Sequence, residues 1–255
     1  MDNLPSKQPK IVLIIQARMG STRLYGKVMM DLAGAPLVGR IIERVKRVKK
    51  IHKIVLATTK KTEDDILEKV ALQSGISAFR GSENDLVDRY YQASKAFGAD
   101  IILRLPADNP IPEPSEYDRI IEYHLLGESD FSSNISDFNG NGYPDGIGVE
   151  VFNFDILEEV WQQCNDPEKR EHIALNFYDY IEQKPVDPLR YRIGTIECPV
   201  ELRRSDIVLD VNTYEEYKFI QEIYEFLYPK NSAFHISDVI KWYNNIYLKG
   251  GRKNE

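Results

Sequence analysis

Strand-like and helix-like segments alternate along this chain, which predicts an α/β fold: a mostly parallel sheet wrapped by helices. Three observations carry that prediction. Short continuous apolar runs such as IVLIIQA (11–17) read as strands buried on both faces. Stretches with apolar residues at helical spacing follow them. Three such strand–helix units fit into about the first 100 residues, and parallel pairing is the connection such units make.

After 11–17 comes a helix from Pro36 to Lys49, with Val38, Ile41, Val45 and Val48 on one side and Pro36 suited to the first turn. KIVLATT (53–59) is the second strand. Thr62, Glu63, Asp64 and Asp65 place acids at the next helix start, where the helix dipole favours them, and Ile66, Leu67, Val70 and Ala71 form its apolar side. ISAFRG (76–81) is a third strand. Ser82 or Asn84 caps a helix whose Leu86, Tyr90, Ala93 and Phe97 share a face. DIILRL (100–105) is a fourth strand and ends in PADNPIPEP.

The second half is less regular. It reads as a helix over 115–126, a strand at 131–134, a turn region at 139–146 and a strand at 149–154. Helices follow from Ile156 to Cys164 and Lys169 to Tyr180, then strands at 191–197 and 207–211 and two C-terminal helices. A single domain over 11–248 is expected, with 139–200 as a substrate or dimerisation subregion and residues 1–10 and 249–255 as flexible ends.

Composition narrows the function classes. The 255 residues are 42% hydrophobic and 29% charged, as in an ordinary folded protein. The longest strongly apolar run, Ile11 to Ile15, is far short of a bilayer span, and the polar start MDNLPSKQPK lacks an apolar signal core. Two cysteines, Cys164 and Cys198, cannot build a disulfide framework or a four-thiolate zinc site, and the four histidines are widely spread. The reducing cytoplasm is the expected compartment, with no membrane association. With 33 basic and 40 acidic residues, net −7, the chain is not built as a general polyanion binder. The basic cluster Arg44, Lys46, Arg47, Lys49, Lys50 and Lys53 reads as a solvated helix face rather than a nucleic-acid site.

In open α/β sheets ligands gather at the carboxyl ends of the strands, here residues 16–27, 58–62, 80–85, 105–110 and 210–213. The first of these, QARMGSTRLYGK, holds Arg18, Arg23 and Lys27, with Gly20 and Gly26 between them and no acid. Glycines let a backbone approach a ligand closely and the cations supply countercharge, the physical recipe for a polyphosphate cradle. An ordinary solvated surface loop is the alternative. The loop is not a P-loop, because five residues separate Gly20 from Gly26 and Val28 follows Lys27; the fingerprint G-x-G-x-x-G is absent.

IIQARMGSTRLYGKV, FRGSENDLVDRYYQA, LRLPADNP and YPDGIGVEVF together resemble the cytidylyltransferase superfamily of CMP-sialic acid and CMP-Kdo synthetases. The branch most resembled is that of the spore-coat polysaccharide cytidylyltransferase-like proteins, over about residues 11–225. Three departures stand out: Tyr25 replaces a usual Pro, Asn109 a usual Cys, and Gly148 a usual acid, the last bearing on the acceptor.

The resemblance implies a Rossmann-like nucleotide-diphospho-sugar transferase fold. It implies an enzyme that takes CTP and a sugar or sugar-acid acceptor, makes a CMP-linked product and releases pyrophosphate with Mg²⁺. By position, Ala17, Arg18, Gly20, Ser21, Arg23 and Lys27 would bind the nucleotide, and Arg18, Arg23 and Lys27 would act in catalysis by holding the triphosphate and stabilising the departing pyrophosphate. Arg80, Ser82 and Arg89 would border the nucleoside, with Arg80 reading the cytosine edge. A surface Arg80 and a helical Asp88–Arg89 ion pair are the alternatives. Asp108 and Asp210 would hold Mg²⁺, Asp210 from the last core strand; the alternatives are a turn-capping Asp before Pro110 and a cap for the helix near Thr213. Arg104, inside a strand, points to a bound anion or a buried pair. Tyr143, Asp145, Arg170, Glu171 and His172 would face the acceptor, His172 being equally readable as a bonded helical histidine. A homodimer meeting through 139–200 is expected, with a lid as the other reading of that region. A glycosyltransferase on the same broad fold is the alternative function, weakened by the absence of any D-x-D.

Overall fold

The computed structural model describes residues 8–136 and 138–248. The expected flexible ends at 1–7 and 249–255 lie outside these. Lys10 is pinned rather than loose: its N–H donates to Asp100, and its carbonyl accepts from Asp100 and Ile101.

Seven strands form the central sheet: β1 (Ile11–Gln16), β4 (Lys53–Thr59), β5 (Ser77–Gly81), β6 (Ile101–Pro106), β7 (Phe131–Ser133), β8 (Glu150–Asn153) and β11 (Ile193–Gly194). Their order is β11-β7-β8-β6-β1-β4-β5. β1 pairs in parallel with both β4 and β6, and β4 with β5; β8 runs antiparallel between β6 and β7. Short ladders join β2 (Asp31–Leu32) to β3 (Ala35–Pro36), and β9 (Tyr178–Asp179) to β10 (Lys184–Pro185). The helices are α1 (Leu37–Val45), α2 (Asp65–Gln73), α3 (Leu86–Phe97), α4 (Pro114–Leu125), α5 (Phe154–Gln163), α6 (Pro167–Glu171), α7 (Tyr214–Leu227) and α8 (Ile236–Trp242).

The continuous apolar run of β1 follows from burial on both faces. Ile11, Leu13 and Ile15 enter the core beneath α1, α4, α7 and α8. Val12 and Ile14 point the other way, against α3 and α5. Each such side chain contributes roughly 1.5–3 kcal/mol on burial, enough to fix the register of the central strand.

Several expectations need correction. α1 ends at Val45, not Lys49, in a tightened turn where Arg47 and Val48 donate to carbonyls three residues back. Asp85, not Ser82 or Asn84, caps α3 by accepting from the Asp88 N–H. The helix expected over 169–180 breaks into α6, a 3-10 turn at Ile173–Asn176 and β9. There the Asn176 amide donates to the Lys169 and Ile173 carbonyls, while Phe177 and Tyr178 pack on Phe131 and Phe138. Only Ile193–Gly194 of 191–197 joins the sheet. The 207–211 segment alternates strand-like, with Ile207, Leu209 and Val211 buried and Val208 exposed. It is not a sheet strand: it touches Asp145 through one bridge and the end of β6 through Val211 N–H to the Asp108 carbonyl.

The basic cluster is only partly a solvated face, with Lys46 and Lys49 exposed. Arg44 is fully buried, bonds the Pro112 carbonyl through Nε and stacks on Phe234, so no continuous basic stripe forms. Gly148 is a packing requirement of this backbone. A Cβ there would meet the Asn134 carbonyl oxygen at 2.2 Å, so this backbone has no room for an acid. No helix among the described residues is long and apolar enough to cross a membrane.

Candidate active site

The chain runs from β1 to β4 and β5 on one side, then returns to place β6 on β1's other side. That reversal is the position where open α/β sheets bind ligands. The loop after β1 and the loop after β6 flank it, and between them lies a cleft of two connected lobes, about 290 and 260 Å³. Gln16, Ala17, Arg18, Asp108, Glu171 and His172 line both. Ser21, Arg23 and Lys27 line one; Glu83, Leu86, Arg89 and Arg104 line the other.

The 16–27 loop is tightly knotted. Ala17 N–H continues the sheet to the Ala57 carbonyl. The Met19 carbonyl accepts from both Ser21 and Gly26 N–H, closing the loop on itself. Gly26 makes this possible with φ of 68°, left-handed backbone that a side chain would strain. Arg23 stands exposed on the lip and makes no ion pair among the described residues. Arg18 is half-buried, 4.0 Å from Glu83, whose carboxylate also takes Lys61 at 2.6 Å.

Lys27 reaches across the cleft floor. Its Nζ donates to the Val211 carbonyl at 2.6 Å, to Asp108 Oδ2 at 3.2 Å and to Asn212 Oδ1 at 3.4 Å. Loop, Asp108 and the 210–212 segment, distant in sequence, therefore meet at one ammonium. Burial pushes the Asp210 carboxyl up to about 6, and the charges of Asp145, Glu216 and Asp108 push the same way; Asn212 donates to it. A dication would relieve this excess of negative charge. Asp108 and Asp210 offer two hard carboxylates, the number Mg²⁺ commonly takes from a protein when phosphates and water complete its shell. Among the described residues no group of three or more acidic, His or Cys side chains forms a preassembled metal cage. Asp108, in the lining of both lobes, and Asp210, in the adjoining segment outside the lining, are the carboxylates that could hold a divalent cation.

Not every expected residue reaches the cleft. Arg80 bonds Asp65, Glu68 and the Thr59 and Lys61 carbonyls, and lines neither lobe. Ser82 accepts from Asp85 N–H. Gly20 is in the loop but not in the lining. Tyr143 is fully buried, its hydroxyl donating to Glu116 and accepting from Arg119, and burial raises its pKa. Asp145 lies behind Asp210, with its carboxylate on Gly146 N–H. Arg170 clamps Asp85 at 2.7 Å and the Trp161 and Cys164 carbonyls, so it fixes the segment that presents Glu171 and His172 to the cleft rather than entering it. Asp88 does not pair with Arg89 but accepts from the Trp161 indole at 2.9 Å.

Arg89 turns into the lobe, where burial lowers its pKa and Arg18 adds to that. Arg104 proves to be a buried pair. Across the antiparallel register it faces Glu150, at 2.7 Å, and Gln16 Oε1 accepts from its Nε. Burial works against the Arg104 charge, and Glu150 together with Tyr90 and Tyr180 outweighs it. Glu83, Leu86 and Pro106 line the cleft without having been given an individual role from the sequence. Their position at strand and helix ends beside the 16–27 and 105–110 loops was the available signal.

A cation-lined cleft at this reversal of a mostly parallel, Rossmann-like sheet places the chain among the nucleotidyltransferases. Similarity to known proteins narrows that class. The chain belongs to the cytidylyltransferase family, whose pattern matches residues 12–231. It is 34% identical over 220 residues to the spore coat polysaccharide biosynthesis protein SpsF of Bacillus subtilis, covering 84% of this chain and 86% of that one. It is 30% identical over 117 residues to the 3-deoxy-manno-octulosonate cytidylyltransferase of Trichlorobacter lovleyi, covering 46% of this chain and 45% of the other. The solved cytidylyltransferase of Leptospira borgpetersenii superposes with a TM-score of 0.81 at 31% identity, covering 92% and 94% of the two chains.

Proposed function

We propose that this enzyme transfers CMP from CTP to a sugar or sugar-acid hydroxyl, in polysaccharide or glycoconjugate biosynthesis in the cytoplasm, with Mg²⁺ held by Asp108 and Asp210. The observation that carries the reading is the convergence of Arg18, Arg23 and Lys27 on one side of a cleft whose other side is Asp108. In this reading Arg18, Arg23 and Lys27 bind the triphosphate, and Lys27 also keeps Asp108 against the loop. The acceptor oxygen forms a bond to the α-phosphorus and gives up its hydroxyl proton to solvent, while the bond from that phosphorus to the bridging oxygen breaks and the electron pair leaves with pyrophosphate. The cationic loop neutralises the charge that develops there, because such transfers depend on positioning and electrostatics more than on covalent work by the protein. Bound Mg²⁺ would add further neutralisation of the phosphate oxygens.

Arg89 and Arg104 lie in the adjoining lobe, and Glu171 and His172 span both, which supports seating the nucleoside and the acceptor there. The proposal includes a homodimer meeting through 139–200, supported by Ile181 and Leu189, which stand almost wholly exposed in that region.

A thermal-shift panel of nucleoside triphosphates with Mg²⁺ tests the reading without knowledge of the acceptor. CTP at 100-fold excess over its Kd is expected to stabilise the protein by ~2.7 kcal/mol, with UTP, ATP and GTP well below it. Equal shifts from all four would refute the cytosine assignment, and no shift from any would refute the nucleotide site.

A further inference from the structure

The turn between β4 and α2 carries a carboxylate that the reaction has no evident use for. Asp64 is 0% exposed. Its Oδ1 accepts from Met19 N–H at 2.7 Å, and its Oδ2 accepts from the Thr59 hydroxyl. A fully buried acid needs a reason to be there, since desolvating it costs several kcal/mol unless strong hydrogen bonds compensate. The partner on the loop side is informative. Met19 is the knot of the 16–27 loop, its carbonyl accepting from Ser21 and Gly26 at 2.8 and 2.9 Å. The preceding residue in the turn repeats the pattern, with the Tyr25 hydroxyl donating to Glu63 at 3.3 Å.

We infer that Asp64 is a positioning residue: it fixes Met19, and through Met19 the shape of the loop whose Arg18, Arg23 and Lys27 face the phosphates. This rests on the proposed nucleotide site. Thr59 sets the carboxylate from the last residue of β4, so the rigid sheet defines the mould and the loop is cast against it. A polyphosphate site needs its cations held to well under an ångström, and a loop anchored only at its ends would not hold them.

The test uses the intact chain with CTP, inorganic pyrophosphate and cytidine as probes. Asp64→Ala is expected to weaken CTP and pyrophosphate alike, by about 10- to 100-fold, while cytidine binding is unchanged. Asp64→Asn keeps an oxygen for Met19 N–H and offers an amide to the Thr59 hydroxyl, so it is expected to stay within about 3-fold of wild type. An equal loss for all three ligands, or no recovery in Asp64→Asn, would reduce Asp64 to a general structural role and overturn the inference. So would unchanged pyrophosphate affinity in Asp64→Ala. Should that variant fail to fold, amide hydrogen exchange in the wild type decides. Met19 N–H is expected to be protected before any nucleotide is added, and exchange as fast as an exposed loop amide contradicts the inference. Wild-type protein that binds neither CTP nor pyrophosphate removes the proposed function, and this inference with it.

Discussion

Replacing Lys27 by Met is expected to weaken CTP binding and turnover by about two orders of magnitude, ~3 kcal/mol, the scale of losing one preorganised charge at a reacting phosphate. Methionine preserves the apolar stem, so the loss isolates the ammonium. Two effects add in this case. The cleft loses a fixed cation, and the Val211 carbonyl and Asp108 Oδ2 lose their shared donor. Leaving a buried acceptor unpaired costs about 1–3 kcal/mol, so a fall in melting temperature of several degrees should accompany the lost affinity. Calorimetric titration with CTP, beside a melting curve, reads both. A variant that melts early but binds CTP within about 3-fold of wild type would make Lys27 a strut rather than part of the site.

Asp108→Asn is the second large effect. The substitution is nearly isosteric and removes only charge. If Asp108 holds Mg²⁺, the metal should no longer tighten CTP binding, and turnover should fall by about 10³-fold or more, ~4 kcal/mol. CTP binding without metal should hold or improve, because a negative charge leaves a site already crowded by Asp210 and Asp145. An aspartate that merely caps a turn before Pro110 behaves differently: the substitution would cost about 1 kcal/mol of stability and leave the metal dependence intact. Titrating CTP with and without Mg²⁺ separates the two.

The parts of this molecule readable from sequence were those governed by local physics. The double-faced burial of β1 writes itself as a continuous apolar run, and the helices packed on it show their spacing. The 16–27 loop was legible as a cationic, glycine-bearing connection at a strand end, and Asp108 as the residue just past β6. What failed depended on distant partners. Arg80 was assigned to the nucleoside from its place in the resembled segment, but Asp65 and Glu68 on the neighbouring helix capture it. Tyr143 sits in a motif that looks substrate-facing, yet Glu116 holds it inside. Arg170 reaches Asp85, and of the two readings of Arg104 the buried pair is selected by Glu150, which only the antiparallel register of β8 on β6 brings opposite it. Asp64 read as a charge favouring a helix start, and nothing local announces its bond to Met19. The segment at 207–211 has the alternation of a strand, but pairing depends on a neighbour, and its neighbours are the irregular 143–146 stretch and the turn after β6.

The central claim is that the loop from Gln16 to Lys27 grips a nucleotide's polyphosphate opposite Asp108 and Asp210. A crystal structure of the protein with CTP and Mg²⁺ tests it most directly. The account expects the β- and γ-phosphates within hydrogen-bond distance of Arg18, Arg23 and Lys27, and one metal ion touching both carboxylates. Phosphates bound elsewhere, with the loop facing bulk solvent and both aspartates remote from any metal, would contradict it.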